Sequence, residues 1–371
     1  MNIFEKANNR LDDFISNNLV SYHKLRNYDY GVKKRKNVSQ LSKYISHRIL
    51  YEYDIIEKLK TIDKKKRFTD EILWRIYWKG YLENHKSIWF EYKNFNRISY
   101  NSNLIKAAEN GETGIDCFDK WISELKKNNY LHNHSRMWFA SIWLFTLELP
   151  WQIGANLFMR YLYDGDAASN TLSWRWVAGM HTNKKPYIAS NQNINKYTNY
   201  RFKESPINLT NKIKIIKNNT HQSNLIPIQN HFSNSKILVL FDNDLYISNR
   251  KNLFCSYSKV YILFNEVIEY GLKLSKNVVK FKLNLIRNIN KLIPNSEVFN
   301  SNDIDNKLKN LEYIDVVYPG VGNNLDLINQ FSKKKQININ FIYRDEDLFY
   351  WCYAKSGFNN FKKSFYKLNK I

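Results

Sequence analysis

Apolar residues recur at intervals of three and four along residues 1–202, which is the period of an α-helix. Phe68, Ile72, Leu73 and Ile76 form one such set, and they would line one face of a helix that packs on a core. Glycines are few in this half of the chain, and the alternation typical of strands is scarce. The pattern therefore predicts an all-helical domain over residues 1–202.

A polar segment over residues 203–235, rich in Asn, Lys and Ser, predicts a linker. Beyond it, short apolar runs rich in β-forming residues recur at 236–241, 259–264, 313–320 and 339–345. Helical patterns lie between or after these runs, at 278–292, 324–333 and 345–368. Because strands that alternate with helices form parallel sheets, residues 236–371 are predicted to form a Rossmann-like parallel α/β domain.

One turn of the predicted α/β domain carries a glycine motif. Pro319, Gly320, Val321 and Gly322 follow a predicted strand and precede a predicted helix. The backbone N–H groups of such a turn can hold a phosphate. A single GxG is a weak signal, however, and a plain turn between strand and helix is the alternative interpretation.

The composition adds a class of partner to this picture. Hydrophobic residues make up 43% of the chain and aromatic residues 16%, which is enough apolar surface for packed cores. The chain carries 57 Lys and Arg against 34 Asp and Glu, a formal net charge of +23. This excess favours a polyanion such as nucleic acid as the partner, and compositional drift toward Lys, Asn and Ile is the alternative.

Cysteine usage and hydropathy exclude several other classes of protein. Cys117, Cys255 and Cys352 lie far apart without a CxxC pair, so we expect no metal and no iron–sulfur cluster. The most apolar stretch, residues 137–149, is shorter than the roughly 20 residues of a membrane span, and the N-terminus has no signal-peptide run. We therefore expect a cytoplasmic monomer without a membrane segment.

One helical segment combines charged and aromatic residues on a single face. Glu71, Trp74, Arg75 and Trp78 are spaced at i, i+3, i+4 and i+7. Carboxylate and guanidinium groups are rarely buried unless paired, whereas indoles provide stacking surface. The segment therefore indicates either a binding surface or a helix edge with an ion pair between its own residues.

Two later segments have a similar character. In the first, Asn133, Arg136 and Met137 share a helix face, and its HNH triplet lacks the ligand spacing of a metal site. The second runs Asp-Gly-Asp-Ala-Ala-Ser-Asn over 164–170 and is followed by Trp174-Arg175-Trp176. Carboxylates, an amide and two indoles so close together suit a planar heterocycle that forms hydrogen bonds along its edge.

Five segments, in this order and spacing, resemble the FAD domain of the photolyase/cryptochrome family: 39–42, 71–75, 111–119, 131–137 and 164–179. Residues 185–202 are similar to the closing segment of that domain. The resemblance covers residues 10–202 and implies FAD as the cofactor. Family members usually place an α/β domain first, whereas here the α/β pattern follows. This order resembles a topologically reversed short branch, whose implied substrate is single-stranded DNA that contains pyrimidine dimers.

The resemblance implies a set of residues that hold FAD: Tyr22, Ser39, Gln40, Leu41, Ser42, Arg136, Asp164, Asp166 and Asn170. The first five would hold the pyrophosphate. Arg136 and Asp164 would form an ion pair beside the flavin, Asp166 would accept hydrogen bonds from the isoalloxazine edge, and Asn170 would face flavin N5. Two positions depart from the family pattern: Val38 replaces a Thr, and Arg48 replaces a Gly and would reach toward the phosphates.

A second set of residues would bind the damaged DNA. Glu71 and Asn133 would form hydrogen bonds with the flipped pyrimidines, Trp74 and Trp176 would flank them, and Met137 would lie at their edge. The contacts with DNA phosphates are assigned to three cationic side chains, Arg26, Arg75 and His134. His134 stands where an Arg is usual, so a permanent charge is replaced by one that titrates near neutrality.

The resemblance also implies a route for electrons. Trp174 and Trp151 match the inner two members of the tryptophan chain that reduces the flavin in light. The outermost Trp is missing from its expected place near Ile98, so photoreduction would either use another exit, such as Tyr100 or Trp138, or be slow. Together with Glu71, Asn133 and Asn170, these tryptophans complete the catalytic set.

The function implied by the resemblance is the light-driven repair of cyclobutane pyrimidine dimers by electron transfer from excited reduced FAD. The protein would then be a deoxyribodipyrimidine photo-lyase with dimer-containing DNA as its partner. Asn170 and Asn133 favour repair over the alternative, a cryptochrome-like FAD blue-light photoreceptor. A basic nucleic-acid-binding protein without a cofactor is a third possibility.

Overall fold

The computed structural model describes residues 2–96, 102–181, 185–203, 226–227, 230–268 and 271–370. Up to residue 203 the described chain is helical. Its helices are α1 (Ile3–Asn17), α2 (Leu19–Leu25), α3 (Ser42–Ile45), α4 (Glu52–Leu59), α5 (Lys66–Asn84), α6 (Ser87–Lys93), α7 (Ser102–Asn110), α8 (Asp116–Asn128), α9 (Asn133–Ser141), α10 (Trp151–Tyr161), α11 (Ala167–Val177) and α12 (Asn191–Thr198). Most of the predicted linker, residues 204–225 and 228–229, lies outside the described residues.

The C-terminal part forms a five-stranded, all-parallel sheet in the order β3-β2-β1-β4-β5. Its strands are β1 (Ile237–Phe241), β2 (Lys259–Phe264), β3 (Ser296–Asn300), β4 (Tyr313–Val317) and β5 (Asn338–Ile342). Its helices are α13 (Lys251–Cys255), α14 (Lys276–Asn290), α15 (Ile304–Lys307), α16 (Asn323–Lys335), α17 (Asp345–Trp351) and α18 (Phe358–Asn369). The predicted fold, a helical region followed by a Rossmann-like sheet, is confirmed.

Two details of the C-terminal part differ from the prediction. Strand β3 was not predicted, because at the sheet edge only Phe299 of its five residues is buried and an edge strand needs no apolar run. The long helix predicted for residues 345–368 is two helices, α17 and α18. Gly357 immediately precedes α18 and has the extended backbone of a helix N-cap.

The sheet buries both of its faces, which explains its apolar strands. Leu238 and Leu240 belong to the core that the sheet shares with α14 and the helical part. Val239 and Phe241 point to the opposite face and pack in a second core with residues of α16. Side chains that alternate along a strand thus enter two different cores.

The helical part and the α/β part pack against each other along α5. Asn84 of α5 donates to the Trp351 carbonyl oxygen of α17 at 2.8 Å, and Lys362 of α18 forms an ion pair with Asp70 of α5 at 2.8 Å. One end of α5 and one of its faces are therefore covered by the C-terminal helices.

None of the described helices is long and apolar enough to cross a membrane. Across the same part of the chain, no three His, Cys, Asp or Glu side chains are grouped as a metal site requires.

Candidate functional site

A cavity of about 610 Å³ opens among the helices of the N-terminal part. Its walls come from α2, the segment before α3, α5, α9 and α11. All the predicted site residues line it except Trp151 and Asp166. Side chains from five separate segments therefore converge on this cavity. Cavities of this size hold small molecules and cofactors.

The α5 wall presents the face predicted from helical spacing. Glu71 and Trp74 are half-buried and line the cavity. The Glu71 carboxyl accepts a hydrogen bond from Arg26 Nη1 at 2.5 Å. Burial raises the pKa of Glu71 above its ordinary value, although the nearby Arg26 acts in the opposite direction. The site thus contains a carboxyl group able to accept or donate a hydrogen bond.

Arg75, one turn further along α5, is held within the protein. Its Nε donates to Glu52 at 3.2 Å, its Nη1 to Asp166 at 2.5 Å, and its Nη2 to the Ser46 carbonyl oxygen at 3.3 Å. The side chain is only 13% exposed. Its guanidinium thus has carboxylate partners within the protein, and its contact with a DNA phosphate stays a prediction.

Helix α9 forms the second wall. Its first residue, Asn133, is exposed, and Met137 one turn later is half-buried. The helix is capped by His132, whose Nδ1 accepts from the backbone N–H of His134 at 3.2 Å. Since Asn133 and Met137 share one face, both reach the cavity.

His134 lines the cavity but does not offer it a charge. Its Nδ1 is 3.0 Å from the Asn27 carbonyl oxygen, and its Nε2 is 3.0 Å from the Tyr187 hydroxyl. The ring also stacks on Trp138 at 4.0 Å. Burial lowers the pKa of His134. Both ring nitrogens are thus engaged by protein groups, and the contact of His134 with a DNA phosphate stays a prediction.

Helix α11 forms the third wall. Asp166 caps its N-terminus by accepting from the Ser169 N–H at 3.0 Å, and its other oxygen accepts from Arg75. Asn170 Nδ2 donates to the Ala155 carbonyl oxygen at 2.8 Å, which fixes this amide in the cavity wall. Asp166 therefore acts as a cap and an ion-pair partner here, and its contact with the isoalloxazine edge stays a prediction.

Trp174 of α11 packs directly on α10. A Cβ added at Gly154 would lie 2.3 Å from the Trp174 ring, so only glycine leaves room for the indole. Phe158 of α10 meets the same ring edge-on at 5.2 Å. The indole Nε1 is buried and has no hydrogen-bond partner among the described residues. The packing explains how a large ring is fixed in the cavity wall.

The remaining wall is formed by the residues predicted to hold a pyrophosphate: Tyr22, Ser39, Gln40, Leu41 and Ser42. Gln40 has a φ of 55°, and its side chain donates to the Arg35 carbonyl oxygen at 3.1 Å. The segment lines the cavity with two serines and with backbone N–H groups, and such groups suit an anion. Their contact with a pyrophosphate stays a prediction.

Arg48 does not take part in this wall. Its φ of 52° matches the backbone of the glycine that the family pattern has here. Its side chain, however, donates to Glu52, Asp244 and Asp347 at 2.7–3.2 Å. The predicted reach of Arg48 toward the phosphates is wrong, because these carboxylates draw it into the interface with the α/β part.

The predicted ion pair of Arg136 and Asp164 is confirmed. Arg136 Nη2 donates to both carboxylate oxygens, at 3.1 and 2.9 Å. Both side chains line the cavity, and the guanidinium also lies over the Tyr130 ring, 5.5 Å from its centroid. Tyr130 was not predicted, since nothing in its local sequence separates it from the many other tyrosines.

The proposed electron route is only partly described. Trp151 lies outside the cavity and stacks on Tyr92 at 5.5 Å, and Tyr92 meets Trp89 at 5.0 Å. Trp138 is fully buried against Trp121. Ile98 and Tyr100 lie outside the described residues. The outermost member of the route therefore stays a prediction.

The cavity residues fit an FAD molecule. Aromatic and apolar side chains line much of the cavity, a paired Arg136 and Asp164 lie within it, and hydroxyl groups line one wall. An extended cofactor with a flat ring system and a charged diphosphate needs this combination. The residues that would hold it are those of the three walls and of the segment 39–42.

Comparisons with known proteins agree with this geometry. Residues 68–204 match the sequence model of the FAD binding domain of DNA photolyase. The deoxyribodipyrimidine photo-lyase of Buchnera aphidicola is 30% identical over 178 residues, which are 44% of this chain and 36% of that protein. The protein of the same name from Escherichia coli is 31% identical over 125 residues, 32% of this chain and 26% of that protein.

Among solved structures, a bacterial class III photolyase from Agrobacterium tumefaciens matches with a TM-score of 0.44 and 25% identity, over 53% of this chain and 42% of that chain. The chain spans between about a fifth and about two fifths of the length of the curated relatives it matches.

The helical cavity and the matched segment together define a flavoprotein whose FAD-binding domain is a bundle of helices. Over residues 68–204 the chain is similar to the FAD-binding domain of the photolyase/cryptochrome family.

Proposed function

We propose that this protein is a deoxyribodipyrimidine photo-lyase, which repairs cyclobutane pyrimidine dimers in DNA with light. The observation that carries the proposal is the single cavity that collects Glu71, Trp74, Asn133, Asn170 and Trp176 from three helices. The curated relatives that match the helical part bear this enzyme name. The net charge of +23 supports an anionic polymer as substrate.

Different cavity residues bind the damaged bases and orient them. When bound, reduced FAD supplies one electron to the dimer after light absorption and accepts it back, so there is no net redox change. Trp74 and Trp176 offer half-exposed indole surfaces for stacking. Glu71 and Asn133 provide hydrogen-bonding groups for the base edges. The helices hold these groups in place before the substrate arrives.

We assign Trp174 and Trp151 to the route along which electrons reach the cavity. Trp174 lies in the cavity wall, and Trp151 is on α10, one turn before Gly154, on which Trp174 packs. Trp151 in turn stacks on Tyr92. Asn170, fixed by the Ala155 carbonyl oxygen, is assigned to flavin N5, where a neutral amide adds no charge beside a reduced ring.

We further propose that single-stranded DNA is preferred over duplex. A base in a single strand is flipped at less cost than one in a duplex. The side chains of Arg75 and His134 are engaged within the protein, so fewer cations remain at the cavity to hold the phosphates of a duplex. Weaker electrostatic binding favours the substrate that needs less distortion.

The proposal is tested by illuminating the purified full chain with oligonucleotides that contain one cyclobutane dimer. Single-stranded and duplex forms are compared in light and in darkness, and flavin content is measured from visible absorbance. We expect repair in light only, with the single strand repaired faster. A Glu71→Gln variant, which keeps a hydrogen-bonding group of the same shape but cannot ionise, should bind FAD and repair more slowly.

Two outcomes would contradict the proposal. A protein that contains flavin but leaves the dimers intact in light would support the photoreceptor alternative. A protein that binds oligonucleotides without any flavin absorbance would support a nucleic-acid-binding role.

A further inference from the structure

The C-terminal helix α18 contacts a residue of the proposed substrate site from behind. Phe358, the first residue of α18, stacks on Trp74 with ring centroids 3.7 Å apart and an interplanar angle of 10°. Trp74 lines the cavity, whereas Phe358 is buried and does not. One face of the Trp74 indole is therefore covered by a side chain that lies 284 positions later in the chain and belongs to the α/β part.

The stack is the centre of a wider contact of α5 with α18 and with the residues just before α18. On one side, Lys362 and Tyr366 of α18 bind Asp70, the residue before Glu71, at 2.8 and 3.2 Å. On the other side, the Tyr77 hydroxyl donates to the Ser356 carbonyl oxygen at 2.7 Å. The α5 segment that carries Glu71 and Trp74 is thus held at both ends and at its middle.

The physical consequence concerns the freedom of the Trp74 ring. A half-exposed indole on a helix surface can adopt several rotamers, and a substrate that stacks on it must immobilise it. A ring packed face to face against Phe358 has already lost that freedom. Its remaining surface on the cavity side is then presented in one orientation.

We propose that Phe358 is a positioning residue, which fixes Trp74 in the orientation that stacks on the damaged bases. The inference rests on the proposed function, because Trp74 is assigned there to the dimer. It gives the α/β part a direct role in substrate recognition: the chain that follows the sheet returns to the cavity and supports its wall.

The test uses the full chain in darkness, so that binding is measured without turnover. The measured quantity is the ratio of the dissociation constants for an undamaged single-stranded oligonucleotide and for one containing a dimer. Phe358→Ala should lower this preference about three- to tenfold, the scale of immobilising one large side chain. FAD content should stay unchanged, because Phe358 does not line the cavity. Phe358→Tyr, which keeps a flat ring, should restore most of the preference.

Two further variants separate positioning from general loosening of α18. Phe358→Leu keeps an apolar side chain but lacks a flat ring, so it should lose the preference for dimers as Phe358→Ala does. It replaces the alanine variant in the test if that variant does not fold. Lys362→Met removes the ion pair with Asp70 without touching Trp74, and it should keep the wild-type preference.

The outcomes distinguish the two hypotheses. If the wild-type protein prefers dimers and Phe358→Leu retains that preference, or if Lys362→Met loses as much, the positioning role is refuted and the proposed function stands. If the wild-type protein has no preference for dimers, the proposed function itself fails, and the positioning role fails with it.

Discussion

Two cavities lie on either side of α5, and they differ in volume and in the pairing of their charged side chains. The cavity of about 610 Å³ in the helical part is lined by half-exposed indoles and by Glu71, Asn133 and Asn170. The cavity of about 80 Å³ at the interface with the sheet is lined by arginines, lysines and carboxylates that bind one another. The first leaves room for a ligand, and the second is nearly filled by side chains.

The interface cavity lies where an α/β protein would be expected to bind a ligand. It adjoins the carboxyl ends of β1 and β4, between which the strand order reverses. Here Arg48 from the helical part reaches Asp244 and Asp347. The glycine-containing turn contacts a side chain of α5, because the Val321 N–H donates to Glu83 at 2.8 Å. The turn thus binds the Glu83 carboxyl group, and a phosphate site there stays the weaker of the two interpretations.

The difference between the cavities is a difference in pairing. Burial alone would raise the pKa of Glu52 in the interface, but Arg48, Lys79 and Arg75 lower it to about 2. Glu71 in the large cavity has one cationic partner in contact, Arg26, and burial raises its pKa. The paired charges around Arg48 join the two parts of the protein, whereas Glu71 in the large cavity has its carboxyl group available to a ligand.

The strongest test of this contrast removes a charge from the interface. In Arg48→Met, three carboxylates lose their common buried partner, whose side chain is only 4% exposed. We expect a loss of about 3–5 kcal/mol in the free energy of unfolding, measured with urea. Lys334→Met removes an exposed ion pair with Asp305 and should leave stability unchanged. A loss no larger than that of the control would show that the interface network does not stabilise the fold.

The next prediction concerns His132, which caps the α9 wall of the large cavity. It is tested by measuring stability as a function of pH. Burial lowers the pKa of His132 to about 4, although the nearby Asp29 acts in the opposite direction. Because the unfolded chain binds this proton at a pKa of about 6.5, stability should be full above that pH and fall as the pH drops to about 4. The difference is about 3 kcal/mol.

The matched variant is His132→Asn, which keeps an acceptor for the His134 N–H. Its free energy of unfolding, measured between pH 7 and pH 4, should fall less steeply than that of the wild type. Parallel curves for the two proteins would mean that His132 contributes nothing to the pH dependence.

Two glycines allow a direct comparison of the two sides of α5. Gly154→Ala places a Cβ 2.3 Å from Trp174, so we expect a cost of about 1–3 kcal/mol and a reduced FAD content measured by absorbance. Gly80→Ala places a Cβ 2.8 Å from Ala354 and Trp351 of the C-terminal part. It should lower stability by a similar amount while FAD content is retained. Equal FAD loss in both variants would contradict the separation of the two sites.

The last prediction concerns substrate binding alone. Trp74→Ala should weaken the binding of a dimer-containing oligonucleotide by about 1–3 kcal/mol per stacked base, measured by fluorescence anisotropy in darkness. FAD content should not change. Trp89→Phe removes an indole that donates to Asp326 at 2.7 Å, away from the cavity, and should bind as the wild type does. An unchanged affinity of Trp74→Ala would remove this residue from the site.

Much of the large cavity could be predicted from the sequence, because its walls are helix faces. Residues three and four apart, such as Glu71, Trp74 and Arg75, lie on one side of a helix whatever its neighbours are. Local spacing and the resemblance therefore identified most of the residues that line it. Local spacing could not find Phe358, whose place beside Trp74 depends on how the C-terminal helices return to α5.

The sequence by itself determined the periods of the elements, the parallel sheet and the residues on each helix face, since all of these follow from spacing along the chain. Only the tertiary structure decided which charged side chains face the large cavity and which pair across the interface. Arg48 finds Asp244 and Asp347 at separations of 196 and 299 positions. An arginine binds whichever carboxylate is nearest in space, and spacing in the sequence does not specify that distance.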